Sequence, residues 1–109
     1  MSSRTIPLIF VLAAAAAHAD EPVGDQAGLK LAQKYNCQQC HTIDQAHGGP
    51  AFAAIAKRYA SDPNARDEVS ANILNGSSGA WGPLPMPPAA VSKEDLRKLV
   101  DWILSLNHS

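Results

Sequence analysis

The sequence is 109 residues long and carries nine Lys and Arg against ten Asp and Glu, which gives a formal net charge of −1 with histidine neutral. A chain of this length forms one small domain, and a domain that binds nucleic acid normally carries a clear excess of positive charge. The composition therefore predicts a single domain with no nucleic-acid partner.

The N-terminal segment 1–19 is predicted to be a cleaved secretory signal. Arg4 precedes an apolar run of twelve residues, 6–17, which ends in the small-residue site Ala17-His18-Ala19. An uncleaved membrane anchor is the alternative, but the run is shorter than the about 20 residues that cross a bilayer. Cleavage leaves residues 20–109 as one exported domain, for which no stable membrane insertion is expected.

The next two predicted elements are amphipathic helices at 24–36 and 50–59. In both, apolar side chains recur at the three- and four-residue spacing of one helix face. Pro50 is expected at the first position of the second helix, where its missing amide hydrogen costs little. The apolar stripes are Ala27, Leu31, Ala32 and Tyr35 in the first helix, and Phe52, Ile55, Ala56 and Tyr59 in the second.

Two further helices are predicted, one at 64–74 and one that begins after Ser92. Asn75-Gly76 ends the third helix, since a left-handed residue commonly terminates a helix. Ser92 caps the fourth, and Asp95, three residues later, forms an acidic variant of the capping box. The stripes are Val69, Ile73 and Leu74 in the third helix, and Leu96, Leu99, Val100, Ile103 and Leu104 in the fourth.

Residues 77–88, between the last two helices, include four prolines within positions 83–88. Because each proline removes an amide donor and fixes φ, this segment is predicted to be a stiff, extended loop. No stretch of the sequence shows the alternating pattern that is typical of a strand. The predicted fold class is therefore all-α with one rigid loop.

The two cysteines, Cys37 and Cys40, are followed directly by His41. This spacing is typical of covalent haem attachment, because two thiols three residues apart lie on one side of a helical turn and can each add to a vinyl group. A disulfide, a thioredoxin-like dithiol and a zinc site are the alternatives. The dithiol requires a βαβ unit, for which the sequence offers no strand, and zinc leaves a fourth ligand to be found, so haem is favoured.

Met86 is the only methionine after residue 19. A lone methionine ordinarily fills space in a core, but the prolines at 83, 85, 87 and 88 favour another role. They would hold the backbone of Met86, and a metal ligand benefits from rigidity that exists before the bond forms. His47 and His108 are the competing candidates, and both are expected at the surface. The sequence favours His41 and Met86 as the two axial ligands of the iron.

Together these motifs resemble the small bacterial class I cytochromes c of the cytochrome c-551 type, over nearly all of the chain after the signal. The resemblance implies the cytochrome c fold, in which four or five short helices surround one covalently attached haem c and the first and last helices pack together. The segments that carry it are 37–44, 49–51, 75–77, 81–88, 91–92 and 102–105.

The resemblance also implies a role for each site residue. The carbonyl of Pro50 would accept the Nδ1 hydrogen of the proximal histidine and so fix the imidazole plane. The indole of Trp81 would donate to a haem propionate. The implied ligands are Cys37 and Cys40 as thioethers, His41 as the proximal axial ligand and Met86 as the distal one.

Two positions depart from the pattern of this family. Asn72 stands where a long basic residue often faces the propionates, and losing that cation would make a propionate harder to ionise. Ala89 stands where an Asn or Gln often reaches the methionine sulfur. Both departures concern the tuning of the haem and leave the identification unchanged.

The function implied is that of a soluble periplasmic electron carrier, not an enzyme, that cycles Fe(III) and Fe(II) and works as a monomer. Its expected partners are transient redox proteins: a membrane quinol-oxidising complex as donor, and a nitrite reductase, peroxidase or terminal oxidase as acceptor. A haem peroxidase or gas sensor is the alternative. It would require a displaceable sixth ligand, and Met86 argues against it.

Overall fold

The computed structural model describes residues 23–107 together with Thr5 and Pro7. The remainder of the predicted signal at 1–19, its cleavage site and His108 lie outside the described residues. The chain forms α1 (Val23–Lys34), α2 (Phe52–Arg58), α3 (Ala65–Asn75) and α4 (Lys93–Ser105), with a 3-10 turn at Cys37–Gln39 after α1. Within this part of the chain β-pairing is confined to isolated bridges, so the all-α prediction is confirmed.

No helix among the described residues is long and apolar enough to cross a membrane. The longest, α4, is central to the fold and packs against each of the other three helices. Ser92 caps it as predicted, because its side-chain oxygen accepts a hydrogen bond from the backbone N–H of Asp95 at 3.1 Å. The predicted stripe is buried except for the half-buried Leu104, and Trp102 joins it in the core.

The first and last helices cross at a glycine. A Cβ placed on Gly28 would lie 1.9 Å from Cγ of Trp102, so only a residue without a side chain leaves room for the indole ring. The predicted stripe on α1 was wrong at Ala27, which is exposed, while Gly28 and Ala32 are buried. A pattern of apolar side chains does not identify a glycine as a contact position, and this explains why Ala27 was predicted in the place of Gly28.

The beginning of α2 also differs from the prediction. Pro50 lies outside the helix, and Ala51 is the N-cap, with extended backbone angles of φ −62° and ψ 146°. The amide of Phe52 donates to the carbonyl of Thr42 at 2.8 Å, and the next amide bonds the next carbonyl at 3.0 Å. The first amides of α2 are therefore satisfied by the segment that follows His41, and Pro50 keeps its carbonyl for another partner.

The end of α3 is an abrupt change of direction. Gly76 has φ of 79°, as a helix-ending glycine often does, but ψ of 170° sends the chain into an extended segment instead of a left-handed turn. Leu74, predicted to belong to the apolar stripe of this helix, is 41% exposed, so that prediction was wrong. The helix therefore buries a narrower face, built on Val69 and Ile73.

Asp95 ties the start of α4 to the end of α1. Its carboxylate accepts hydrogen bonds from the hydroxyl of Tyr35 at 2.6 Å and from Nζ of Lys34 at 3.1 Å. The bond from Tyr35, supported by the one from Lys34, lowers the pKa of Asp95 below its usual value. The hydrogen bonds to Asp95 and the close approach at Gly28 together fix α1 on α4. The two cysteines follow this fixed helix directly.

Candidate functional site

The two cysteines lie in the tight turn that follows α1. Asn36 precedes them in a left-handed conformation, with φ of 61°, which ends α1 and starts the 3-10 turn. The amide of His41 donates to the carbonyl of Cys37 at 3.0 Å, which closes this turn. Cys37 is half-buried and Cys40 is exposed, and no disulfide joins them. Burial raises the pKa of the Cys37 thiol above its ordinary value.

His41 is buried, with 7% of its surface exposed. Its Nδ1 lies 2.7 Å from the carbonyl oxygen of Pro50, and because a carbonyl can only accept, Nδ1 is the protonated nitrogen. The ring stacks on Phe52 with centroids 5.1 Å apart, and a Cβ on Gly49 would lie 2.8 Å from its Cε1 atom. The imidazole is thus fixed at one nitrogen and along its face, and Nε2 keeps a free lone pair.

The loop between His41 and Pro50 is closed by its own backbone. Gly49 donates to the carbonyl of Cys40 at 2.8 Å, and the amide of His47 donates to the carbonyl of Gly49 at 2.9 Å. His47 itself is exposed, as the sequence predicted. These bonds bring the Pro50 carbonyl back to the imidazole.

Met86 is held chiefly through its backbone. Ser77 and Met86 form an isolated antiparallel bridge, in which the amide of Ser77 donates at 3.0 Å and the amide of Met86 at 2.7 Å. A Cβ on Gly76 would lie 2.6 Å from the carbonyl oxygen of Met86, so the two chain segments approach more closely than a side chain would allow. The Met86 side chain is half-buried.

All six predicted site residues line one cleft. The cleft contains about 900 Å³ not filled by protein atoms, a volume that includes open solvent at its mouth. Much of its wall is apolar core, including Phe52, Ile73 and Leu99. The six residues are Cys37, Cys40, His41, Pro50, Trp81 and Met86.

The residues of the cleft fit a covalently attached haem. Two thiols and a nitrogen with a free lone pair come from the turn at 37–41, a thioether comes from Met86, and apolar side chains would cover the porphyrin. The zinc alternative finds no support among the side chains of residues 26–107, where no group of three or more His, Cys, Asp or Glu is placed to hold a metal ion.

One residue at this site was missed by the sequence analysis. The guanidinium of Arg58 lies 4.5 Å from the centroid of the Trp81 ring, and its Nη1 donates to the carbonyl of Ala80 at 2.8 Å. Trp81 is 39% exposed, and Asn72 also lines the cleft. Arg58 could not be identified from the sequence, because a basic residue in the last turn of a helix is ordinarily solvated or interacts with the helix dipole.

Comparison with known proteins identifies relatives over most of the chain. Residues 26–107 match the family model described as Cytochrome c. The chain is 40% identical over 99 residues to cytochrome c-551 of Stutzerimonas stutzeri, covering 91% of this chain and 95% of that protein. It is 45% identical over 82 residues to cytochrome c-552 of Nitrosomonas europaea, covering 74% and 80%. The crystal structure of wild-type Nitrosomonas europaea cytochrome c552 superposes with a TM-score of 0.70 at 44% identity, covering 72% of this chain and 99% of that one.

Proposed function

Because the chain belongs to the cytochrome c family, we propose that it carries electrons in the periplasm on one haem whose iron is ligated by His41 and Met86. The cofactor of the family is covalently bound haem c with its iron, and the chain is an electron carrier of this kind. The observation that carries the proposal is the cleft in which the two thiols, the oriented imidazole and the methionine meet.

The residues on the proximal side would hold the haem and orient its histidine ligand. Cys37 and Cys40 would attach the haem through thioethers, and the bound iron supplies a one-electron couple between Fe(III) and Fe(II). Pro50 keeps the Nδ1 proton of His41 in place, which leaves Nε2 as the ligand atom and strengthens it as a donor. Stacking on Phe52 restricts rotation of the ring in either oxidation state.

The backbone around Met86 favours a ligand that is not easily displaced from the iron. Its paired backbone and the surrounding prolines remove in advance much of the ordering entropy that a mobile ligand would lose. A site with two fixed ligands changes little when the iron changes charge, as outer-sphere electron transfer requires. This arrangement favours a carrier over a peroxidase or gas sensor, both of which need a displaceable sixth ligand.

Location and partners form part of the proposal. The signal predicted at 1–19 supports export to the periplasm. As an electron carrier the protein has transient redox partners, and we infer that a quinol-oxidising membrane complex donates to it. A nitrite reductase, peroxidase or terminal oxidase would accept its electrons.

The first test is an absorption spectrum of the protein exported together with haem-attachment machinery. We expect sharp c-type bands after reduction, and in the oxidised protein the weak near-infrared band of sulfur-to-iron charge transfer. Absence of haem bands would contradict the haem c assignment. Haem bands without the near-infrared band would remove Met86 from the iron and favour the sensor or peroxidase alternative.

A second test uses carbon monoxide, which requires an open position on reduced iron. The wild-type protein should not bind it at neutral pH, whereas Met86→Ala should bind it readily. His47→Ala is the matched control, because His47 is the competing ligand candidate nearest the site in sequence. Carbon monoxide binding by His47→Ala at the level of Met86→Ala would contradict the assignment of Met86.

A further inference from the structure

Arg58 joins the end of α2 to the segment 77–84, which we call the Trp81 loop. We propose that Arg58 positions Trp81 at the rim of the cleft and supplies the positive charge that faces the carboxylates of the cofactor on that side, in place of the cation missing at Asn72. The inference rests on the proposed function, since the carboxylates are those of haem.

The contact has two parts that only an arginine combines. The guanidinium lies 4.5 Å from the centroid of the Trp81 ring, and one of its N–H groups donates to the carbonyl of Ala80 at 2.8 Å. A planar guanidinium can stack on an indole and still direct an N–H sideways to a carbonyl, whereas the ammonium of lysine is a point charge without that plane. Arg58 therefore holds both the ring and the backbone next to it.

The Trp81 loop needs such a restraint. Gly79 and Gly82 lie on either side of Trp81, both with positive φ, at 85° and 114°, and an added Cβ on either would meet no atom within 4 Å. Glycines in open space give the backbone freedom that must be lost when the loop is ordered. The interaction with Arg58 limits that freedom at Ala80 and Trp81, the two residues between the glycines.

In the part of the chain that the structure describes, the residues that line the cleft lack a cation that Arg58 would supply. None of the described residues that line it is a Lys, Arg, Asp or Glu, and Asn72, on α3, contributes an uncharged amide. A haem brings two propionates, and an anion at the edge of an apolar cleft is stabilised by a nearby cation. Arg58 is in contact with two lining residues, Trp81 and Ala80, so its charge lies next to the wall.

The test compares three variants of the haem-loaded protein: Arg58→Gln, Arg58→Lys and Lys57→Gln. Lys57 is the neighbouring exposed cation on α2 and has no ion pair within the described residues, so its removal controls for net charge. Two quantities are measured, the reduction potential at pH 7 and the backbone order parameters of the amides at 79–82, from nitrogen-15 relaxation of the reduced protein. Both depend on the haem-loaded fold and neither depends on a redox partner.

Removing a cation near the haem favours the ferric form. Arg58→Gln should therefore raise the ratio of oxidised to reduced protein at a fixed potential about threefold, a fall of about 28 mV at 59 mV per tenfold change. It should also lower the order parameters at 79–82 from about 0.85, the value of a rigid backbone, to below about 0.6. Arg58→Lys should have the same reduction potential as the Lys57→Gln control, but its order parameters at 79–82 should be as low as those of Arg58→Gln, which separates charge from positioning.

The outcomes distinguish this proposal from the one it rests on. A protein without haem bands overturns the proposed function, whatever Arg58 does. With haem bound, order parameters at 79–82 in Arg58→Gln equal to those in Lys57→Gln overturn the positioning role. A potential in Arg58→Gln equal to that in Lys57→Gln overturns the electrostatic role.

Discussion

The two sides of the cleft hold their ligands in different ways. On the proximal side, residues 37–52, the ligand side chain itself is fixed, because the imidazole of His41 is bonded to Pro50 and stacked on Phe52. On the distal side, residues 76–88, the backbone of the ligand is fixed by its pairing with Ser77. The Met86 side chain is only half-buried, whereas His41 is buried.

This difference follows from the chemistry of the two ligands. Imidazole has a second nitrogen that must be bonded when buried, and that bond also determines which nitrogen can face a metal. A thioether has no second polar atom to orient, so rigidity has to come from the main chain. The proximal side should therefore be sensitive to changes in the core, and the distal side to changes in the backbone.

The largest expected effect comes from Phe52→Ala. Phe52 is 2% exposed and contacts both His41 and Trp102, with the latter ring 5.2 Å away, so its loss leaves a cavity between the ligand and the α1–α4 crossing. The free energy of unfolding should fall by about 3–5 kcal/mol. Urea unfolding of the haem-loaded protein measures this as a lower midpoint with an unchanged slope.

The same variant tests the separation of the two sides. Exchange of the His41 Nδ1 proton should accelerate well before unfolding, while the near-infrared band from Met86 persists. Phe52→Leu is the control, since it keeps an apolar side chain there and should cost clearly less. Loss of the near-infrared band at the same urea concentration as the faster Nδ1 exchange would show that the two sides are coupled through the core.

The next effect in size is expected on the distal side, from Gly76→Ala. The added Cβ would lie 2.6 Å from the carbonyl oxygen of Met86, at a residue whose φ is 79°. Strain of this kind costs about 1–3 kcal/mol, which should appear as a weaker bond from Met86. Added imidazole should therefore displace Met86 from the oxidised iron at about tenfold lower concentration, the equivalent of about 1.4 kcal/mol.

Gly79→Ala is the matched control for this prediction. Gly79 also has a positive φ, of 85°, but a Cβ there would meet no atom within 4 Å. Gly79→Ala therefore places a side chain at a positive φ but creates no clash with Met86. The affinity of its oxidised iron for imidazole should stay close to that of the wild type. Equal affinities in the two variants would mean that the close approach at Gly76 does not hold the ligand in place.

Local patterns in the sequence predicted the helices and four site residues, Cys37, Cys40, His41 and Met86, whereas the family resemblance implied the roles of Pro50 and Trp81. Helix periodicity, the cap at Ser92 and the spacing of Cys37, Cys40 and His41 are all properties of neighbouring residues. The sequence did not predict Gly28 as a packing position or Arg58 as a partner of Trp81. These contacts join residues 74 and 23 positions apart, and no periodicity or spacing connects them.

The smallest expected effect lies in the contact that secures α1, and with it the proximal side, to α4. Asp95 has a lowered pKa in the folded protein, chiefly because Tyr35 donates a hydrogen bond to it. A carboxylate with a lowered folded pKa stabilises the fold above its ordinary pKa of 3.8, and this contribution is lost as the pH falls through the lowered value. Tyr35→Phe removes the main cause of the shift, so it should be less stable than the wild type at pH 7.

The difference in free energy of unfolding between the wild type and Tyr35→Phe should close as the pH falls below 3.8. Urea unfolding of both proteins between pH 7 and pH 3 measures this difference. Tyr59→Phe is the control, because no hydrogen bond of the Tyr59 hydroxyl to a carboxylate is found within residues 26–107, and its difference from the wild type should not change with pH in this window. A Tyr35→Phe difference that stays constant down to pH 3 would mean that Asp95 is held by Lys34 instead. In either case the near-infrared band at neutral pH should be unchanged, since the distal side does not depend on α1.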